Sequence, residues 1–197
     1  MAKRLFDILA SASALLLLSP VLVAIALCVG LSSPGGVFFR QERVGRDGRT
    51  FRLWKFRTMR PDSERLGQLT VGGRDPRITG VGRFLRKSKM DELPQLINVL
   101  VGDMSIVGPR PEVPKYVALY TPEQRAVLRV RPGITSAASI AYIAENELLG
   151  RSADPERTYV EEVMPAKLAL DLAYVRNPTL TNDLRIILRT LARIVGG

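Results

Sequence analysis

Histidine is missing from this sequence altogether, and cysteine occurs once, as Cys28. Without imidazole there is no Ser-His-Asp or Cys-His catalytic arrangement and no metal site built on His. A single thiol excludes an internal disulfide and fits a reducing compartment. Acid is also scarce, with 19 Asp and Glu against 29 Lys and Arg, a formal net charge of +10. That imbalance demands an anionic partner. Nucleic acid, anionic lipid head groups and nucleotide phosphates all satisfy it. The economical chemistry that remains is carboxylates with an oxygen-loving metal.

Charge is missing in one further place. Residues 8–39 carry none, and Ile8 to Gly30 is long enough to cross a bilayer, for which about 20 apolar residues suffice. The run is longer than the apolar core of a signal peptide. Ser19-Pro20 interrupts it near the middle, and both flanks are basic: Lys3 and Arg4 precede it, and Arg40, Arg43, Arg46 and Arg49 follow. Pro20 removes an N–H and clashes with the Leu16 carbonyl, while the Ser19 hydroxyl can serve the freed backbone. The basic flanks draw both ends to the cytoplasmic side. Two forms stay open on these grounds: a proline-kinked spanning helix, and a re-entrant helix that enters and leaves on one face.

The 197 residues suit one domain plus an appendage, and 46% hydrophobic residues are enough for a core. No repeat or second domain is present. Residues 37–59 read as a β-hairpin turning at Arg46-Asp47-Gly48-Arg49, because Asp-Gly lies between aromatic and β-branched runs. Lys55 stands near its end. Residues 61–82, rich in Gly, Asp, Pro and Arg without periodicity, read as a loop that could lie over a site. Thr121-Pro122-Glu123-Gln124 has the residues of a capping box, Asp154-Pro155 starts a helix, Pro165 restarts it, and Asn177-Pro178 stops it. Tyr159 and Tyr174 on these helices read as packing or interfacial residues. At the end, Leu184, Ile187, Leu188, Leu191 and Ile194 share one face of a basic amphipathic helix. Such a helix lies on a membrane surface or covers the core, and the first is the expectation here.

The stretch with the most chemistry runs from Arg83 to Glu112, RFLRKSKMDELPQLINVLVGDMSIVGPRPE. Asp91 and Glu92 are adjacent carboxylates, followed by Pro94 and the periodic run Leu93, Leu96, Ile97, Leu100, which predicts a helix with Pro94 in its first turn. Unpaired N–H groups at its start would favour ionised Asp and phosphate, and Arg83, Arg86, Lys87 and Lys89 add cations upstream. Spacing alone leaves two readings open: an ordinary N-cap with a solvated basic face, and a site for metal and phosphate together. Downstream, Gly108-Pro109-Arg110-Pro111 holds Arg110 on a backbone stiffened from both sides, as suits a two-point grip on phosphate.

From Asp75 to Glu112, DPRITGVGRFLRKSKMDELPQLINVLVGDMSIVGPRPE resembles the signature of the bacterial sugar transferase family, the small monotopic phosphoglycosyl transferases. The resemblance extends back to KRLFDI at Lys3 and WKFRTM at Trp54, and forward to RPGIT at Arg131 and LALDLAYVRN at Leu168. It implies an α+β fold: a re-entrant membrane helix at residues 1–36, retained in the mature protein, then a small, mostly helical cytoplasmic catalytic domain at residues 37–197 with a β-hairpin and interfacial amphipathic helices. The implied reaction moves a sugar phosphate from a UDP-sugar to polyprenyl (undecaprenyl) phosphate, giving UMP, at the cytoplasmic face of the bacterial plasma membrane. In it Asp91 is the nucleophile, Glu92 with Asp91 holds Mg2+, Arg86 steadies Asp91 or the phosphate, and Arg110, Lys55 and Arg131 bind substrate. The partners implied are the two substrates and the bilayer, with no nucleic acid, and a homo-oligomer is left open.

One departure stands out. Many members carry Ala-Gln and Gly-Arg-Asn shortly after Pro-Gly-Ile-Thr, whereas this chain reads SAASIAYIAENELLG from Ser136 to Gly150, with no arginine between Arg131 and Arg151. Those two arginines are the candidate stand-ins. Two other functions compete: a non-catalytic, membrane-anchored basic protein binding lipid or nucleic acid, and a metal-dependent glycosyltransferase that releases UDP.

Overall fold

A computed structural model of the chain describes residues 2–32, 34–61, 63, 69, 71 and 75–196. The fold is α+β. Helices α1 (Ala2–Leu17) and α2 (Ser19–Ser32) come first, then the antiparallel pair β1 (Phe38–Val44) and β2 (Thr50–Phe56). Next are α3 (Gly80–Lys87), a 3-10 turn at Met90–Glu92, α4 (Gln95–Val101) and β3 (Ser105–Val107). The rest runs through α5 (Pro114–Val117), β4 (Gly133–Thr135), α6 (Ala137–Ala141), α7 (Glu145–Gly150), α8 (Pro155–Thr158), α9 (Met164–Arg176) and α10 (Leu180–Val195).

No single helix among the described residues is long and apolar enough to cross a membrane; α1 and α2 meet that test only together, bent by 64°. The bend falls at the interruption read from the sequence. The Ser19 hydroxyl donates to the Leu16 carbonyl at 2.8 Å, serving the acceptor that Pro20 cannot. Around the bend apolar side chains are uncovered, with Leu16, Leu17, Val21 and Val23 all exposed. The first turns of α1 behave differently, because they are bonded into the rest of the chain. Asp7 is buried and accepts from the Ser105 hydroxyl and the Ile106 N–H, each at 3.1 Å. Arg4 donates to the Val99 and Leu100 carbonyls at the end of α4, and Lys3 pairs with buried Asp183 at 2.5 Å. On α2, Ile25 and Val29 pack with Phe56 and Leu85.

The hairpin forms where Asp-Gly predicted it. Phe38 pairs with Phe56 and Val44 with Thr50, and Asp47 and Gly48 both take positive φ in the turn, as such a reversal requires. Strands β3 and β4 pair in parallel, Ser105 with Gly133 and Val107 with Thr135. Gly133 permits this approach, since a Cβ there would lie 2.1 Å from the Gly108 nitrogen.

Parts of 61–82 lie outside the described residues, so the loop reading is met only in part. Asp75 holds the Arg77 side chain, Met59 bridges Ile78, and a helix already begins at Gly80, with the Thr79 hydroxyl capping the Gly82 N–H at 2.9 Å. The reciprocal bonds of a capping box are present, Thr121 N–H to Gln124 Oε1 and Gln124 N–H to Thr121 Oγ1. The segment they cap, Gln124–Arg129, is nevertheless a 3-10 run and not an α-helix. Asp154 caps α8 through the Arg157 N–H, and Pro165 lies in the first turn of α9, reached through a π-helical turn at Tyr159–Val163. The amphipathic α10 splits its expected face. Ile186 and partly buried Ile187 pack with Val107 and Tyr174, while Leu184, Leu188 and Leu191 stay exposed.

Candidate active site

The elements around Asp91 and Glu92 converge because of local bonds that the sequence sets up. Asn98 on α4 accepts the Trp54 N–H at 3.0 Å and donates to the Arg52 carbonyl at 2.8 Å, which fastens β2 along α4. That fastening puts Lys55 beside Glu92. Gly82 lets α3 lie against the strand end, since a Cβ there would meet the Thr58 oxygen at 2.1 Å. Arg86, one turn on, then donates from Nε to the Thr58 hydroxyl at 2.9 Å.

Asp91 and Glu92 sit in the 3-10 turn that leads into α4. The N–H groups of Glu92, Leu93, Leu96 and Ile97 all donate to preceding backbone carbonyls. So the free N–H groups expected at this helix start are largely used, and the positive field comes from side chains. Glu92 is the most tightly held group: Arg110 grips it at two points, Nη2 to Oε1 at 2.5 Å and Nη1 to Oε2 at 3.2 Å, and Lys55 Nζ reaches Oε1 at 3.0 Å. Burial alone would raise its carboxyl, but the charges and hydrogen bonds of Arg110 and Lys55 outweigh that and hold it well below the usual carboxylate range. Lys55 is lowered by burial, with Glu92 opposing. Arg110 is raised by Glu92.

Asp91 is different. It is only 6% exposed and makes no hydrogen bond or ion pair with a described residue. Burial raises its carboxyl, Lys55 counters this, and Glu92 adds to it. One carboxylate of the pair is clamped as an anion while its neighbour is left available.

Both line a cleft of about 430 Å3, with Lys55, Arg86 and Arg110. Arg131 is placed elsewhere: its Nε donates to the Gly102 carbonyl at 2.8 Å, closing the end of α4, and it does not line the cleft. Arg151 does not line it either. Lys89, of the upstream cations read from the sequence, lines it too, and Arg43, Lys167 and Arg193 join them. Neither candidate stand-in for the family's arginine is therefore brought to the site.

Sequence reasoning passed over a second polar group in the cleft. Glu112 accepts from Arg43 at 3.0 Å and from the Tyr159 hydroxyl, and Lys167 pairs with Glu145 at 2.5 Å over the Tyr159 ring. Tyr159 thus packs, as expected, but also bonds at the site. A signal for Lys167 existed: Met164, Leu168, Asp171 and Tyr174 form the buried stripe of α9, and a lysine beside that stripe with an aspartate in it is unusual for a purely apolar face. Asp171 is 4% exposed, and its Oδ1 has no partner among the described residues. Burial pushes its carboxyl up to about 6, against the Ser136 hydroxyl and Lys167.

The sequence model of the bacterial sugar transferase family matches residues 1–197. The chain belongs to that family. It is 39% identical over 198 residues to the UDP-N-acetylgalactosamine-undecaprenyl-phosphate N-acetylgalactosaminephosphotransferase of Aeromonas hydrophila, covering 99% of this chain and 44% of that one. It is 41% identical over 193 residues to the UDP-glucose:undecaprenyl-phosphate glucose-1-phosphate transferase of Escherichia coli K12, covering 96% and 39%. A third relative, the exopolysaccharide production protein PSS of Rhizobium leguminosarum bv. phaseoli, is 41% identical over 196 residues, 96% and 92% of the two chains. This chain thus spans less than half the length of the first two.

The donor set can be tested against Mg2+. Among the described residues no three acidic, Cys or His side chains gather as a metal cage, and both Glu92 oxygens already face cations. Mg2+ commonly uses one or two carboxylates plus substrate phosphates and water. The pair fits an ion that arrives with a diphosphate, Asp91 offering the unengaged carboxylate.

Proposed function

We propose that this chain transfers a sugar phosphate from a UDP-sugar to polyprenyl phosphate, with UMP as the second product. The observation that carries the reading is the unequal pair: Glu92 clamped by Arg110 and Lys55, and Asp91 beside it without a partner among the described residues. The names of the relatives supply the substrate class, a UDP-sugar and undecaprenyl phosphate.

Asp91 attacks the sugar-bearing phosphorus of the diphosphate. A carboxylate oxygen–phosphorus bond forms, the bond to the bridging oxygen breaks, and the electron pair leaves with UMP. An oxygen of the lipid phosphate then attacks the same phosphorus, Asp91 departs as a carboxylate, and polyprenyl diphosphate sugar results. Lys55, Arg86 and Arg110 bring fixed positive charge to the phosphates, in a partly buried cleft where such charge counts for more than in water. Glu92 holds Lys55 and Arg110 in place. Mg2+ bound by Asp91 and Glu92 with the diphosphate would offset the charge that builds on departing UMP.

The chain acts at the cytoplasmic face of the plasma membrane, with α1 and α2 as a re-entrant anchor. Their 64° bend, the exposed apolar side chains around it and the basic flanks support this. An anchored site meets the acceptor phosphate at head-group level without a second diffusional search.

The test is the released nucleotide. Detergent-solubilised protein with Mg2+, polyprenyl phosphate and a panel of UDP-sugars is expected to release UMP. Release of UDP would mean transfer of the sugar alone, and release of neither would leave a binding protein.

A further inference from the structure

The cleft lining carries apolar side chains as well as polar ones, among them Ile134 of β4, Ile140 of α6 and Ile194 of α10. The elements that carry these residues are joined, since α10 packs on α6 and β4, and the Thr190 and Thr135 hydroxyls bond at 2.7 Å. The last turns of α10 therefore wall the cleft, with Arg193 lining it beside Ile194. Arg193 makes no ion pair or hydrogen bond with a described residue. On its outer side the same helix leaves Leu188 67% exposed and Leu191 55% exposed. One short helix segment thus offers a guanidinium and an isoleucine to the cleft and leucines to the outside.

We infer that the end of the cleft walled by α10 is the acceptor site: Arg193 holds the phosphate of the polyprenyl phosphate, and the apolar lining from β4, α6 and α10 receives its first isoprenoid units. The inference rests on the transferase reading above and adds residues to it. Of the two substrates, only the lipid joins an anionic head to a long apolar chain, and the α10 wall of the cleft sets a cation, Arg193, beside apolar Ile194. Continuity points the same way, because the exposed leucines of α10 would carry the chain from the cleft toward a bilayer. From there an oxygen of the lipid phosphate attacks the phosphosugar on Asp91, the bond to Asp91 breaking as the new phosphorus–oxygen bond forms.

The test separates the two substrates on the detergent-solubilised full chain. One assay follows exchange of labelled UMP into UDP-sugar without lipid; the other follows transfer to polyprenyl phosphate. Arg193→Ala is expected to raise the KM for polyprenyl phosphate roughly tenfold, as loss of a charge-assisted phosphate contact does, while exchange and the KM for UDP-sugar hold. Arg193→Lys should recover part of the loss, and Ile194→Asp should reproduce it by setting a carboxylate against the phosphate. An unchanged acceptor KM in Arg193→Ala, or equal losses in exchange and transfer, would overturn the inference. Absence of exchange in the unaltered protein would instead sink the covalent mechanism, and the acceptor KM would still decide the role of Arg193. If neither reaction ran, direct binding of polyprenyl phosphate, compared between the unaltered protein and Arg193→Ala, would decide it: weaker binding by the variant supports the inference, and equal binding overturns it.

Discussion

Arg110 meets Glu92 as a fork meeting a fork, Nη2 on Oε1 at 2.5 Å and Nη1 on Oε2 at 3.2 Å. Lysine cannot reproduce two parallel contacts, since it carries a point charge in place of a planar donor pair. Arg110→Lys is expected to lower kcat/KM roughly ten- to hundredfold, with the fold retained. UMP release under initial-rate conditions checks this. Unchanged kcat/KM would mean that Arg110 only balances charge.

Asp91→Asn keeps the shape of the side chain and removes the nucleophile, so turnover should vanish while circular dichroism and detergent-phase elution stay as they were. Glu92→Gln should also be severe, because it frees Lys55 and Arg110 from their common anion and weakens metal binding. A tenth of the original rate remaining in Asp91→Asn would contradict a covalent role.

Much of this arrangement was legible in local sequence, and the remainder depends on distant parts of the chain. Asp47-Gly48 announced the hairpin, Asp154 the start of α8, and Asn177-Pro178 the end of α9, because each acts within a few residues of itself. Asp91 and Glu92 were visible as a pair. Their setting was not: the 3-10 turn closes the backbone donors expected to be free, and Arg110 and Lys55 arrive from 18 and 37 residues away. Arg131 illustrates the limit. Its type and motif suggest phosphate, yet it closes the end of α4 at Gly102. Arg193 reaches the cleft through helix packing that no short-range pattern encodes.

Asp171 gives a pH prediction. Its folded carboxyl is raised to about 6 from an ordinary 3.8, so between those values the folded chain keeps a proton that the unfolded chain has lost. Stability therefore falls as pH rises through that window, and the penalty is complete above it. Asp171→Asn removes the penalty and should raise Tm at pH 7.5, with the gain shrinking toward zero below about pH 4. Melting curves of both proteins across that range check it. A gain independent of pH would exclude titration of Asp171 as the cause.

The anchor can be tested by where its ends lie. From Ile8 to the end of α1 at Leu17 the helix is about 15 Å long at 1.5 Å per residue, short of a hydrocarbon core of about 30 Å. Cysteines at positions 2 and 48 in a Cys28→Ala background should both resist a membrane-impermeant thiol reagent in intact cells. Labelling at position 2 would favour a kinked spanning helix.

In the proposed reaction Asp91 carries the phosphosugar between the two substrates, and everything else at the site serves that step. Intact-mass spectrometry of the protein given Mg2+ and its UDP-sugar, with no lipid acceptor, tests it most directly. The predicted result is a mass gain of one phosphosugar, mapped to Asp91 and discharged when polyprenyl phosphate is added. UMP release in the presence of lipid with no such adduct in its absence would contradict it, and would make the transfer a single direct displacement.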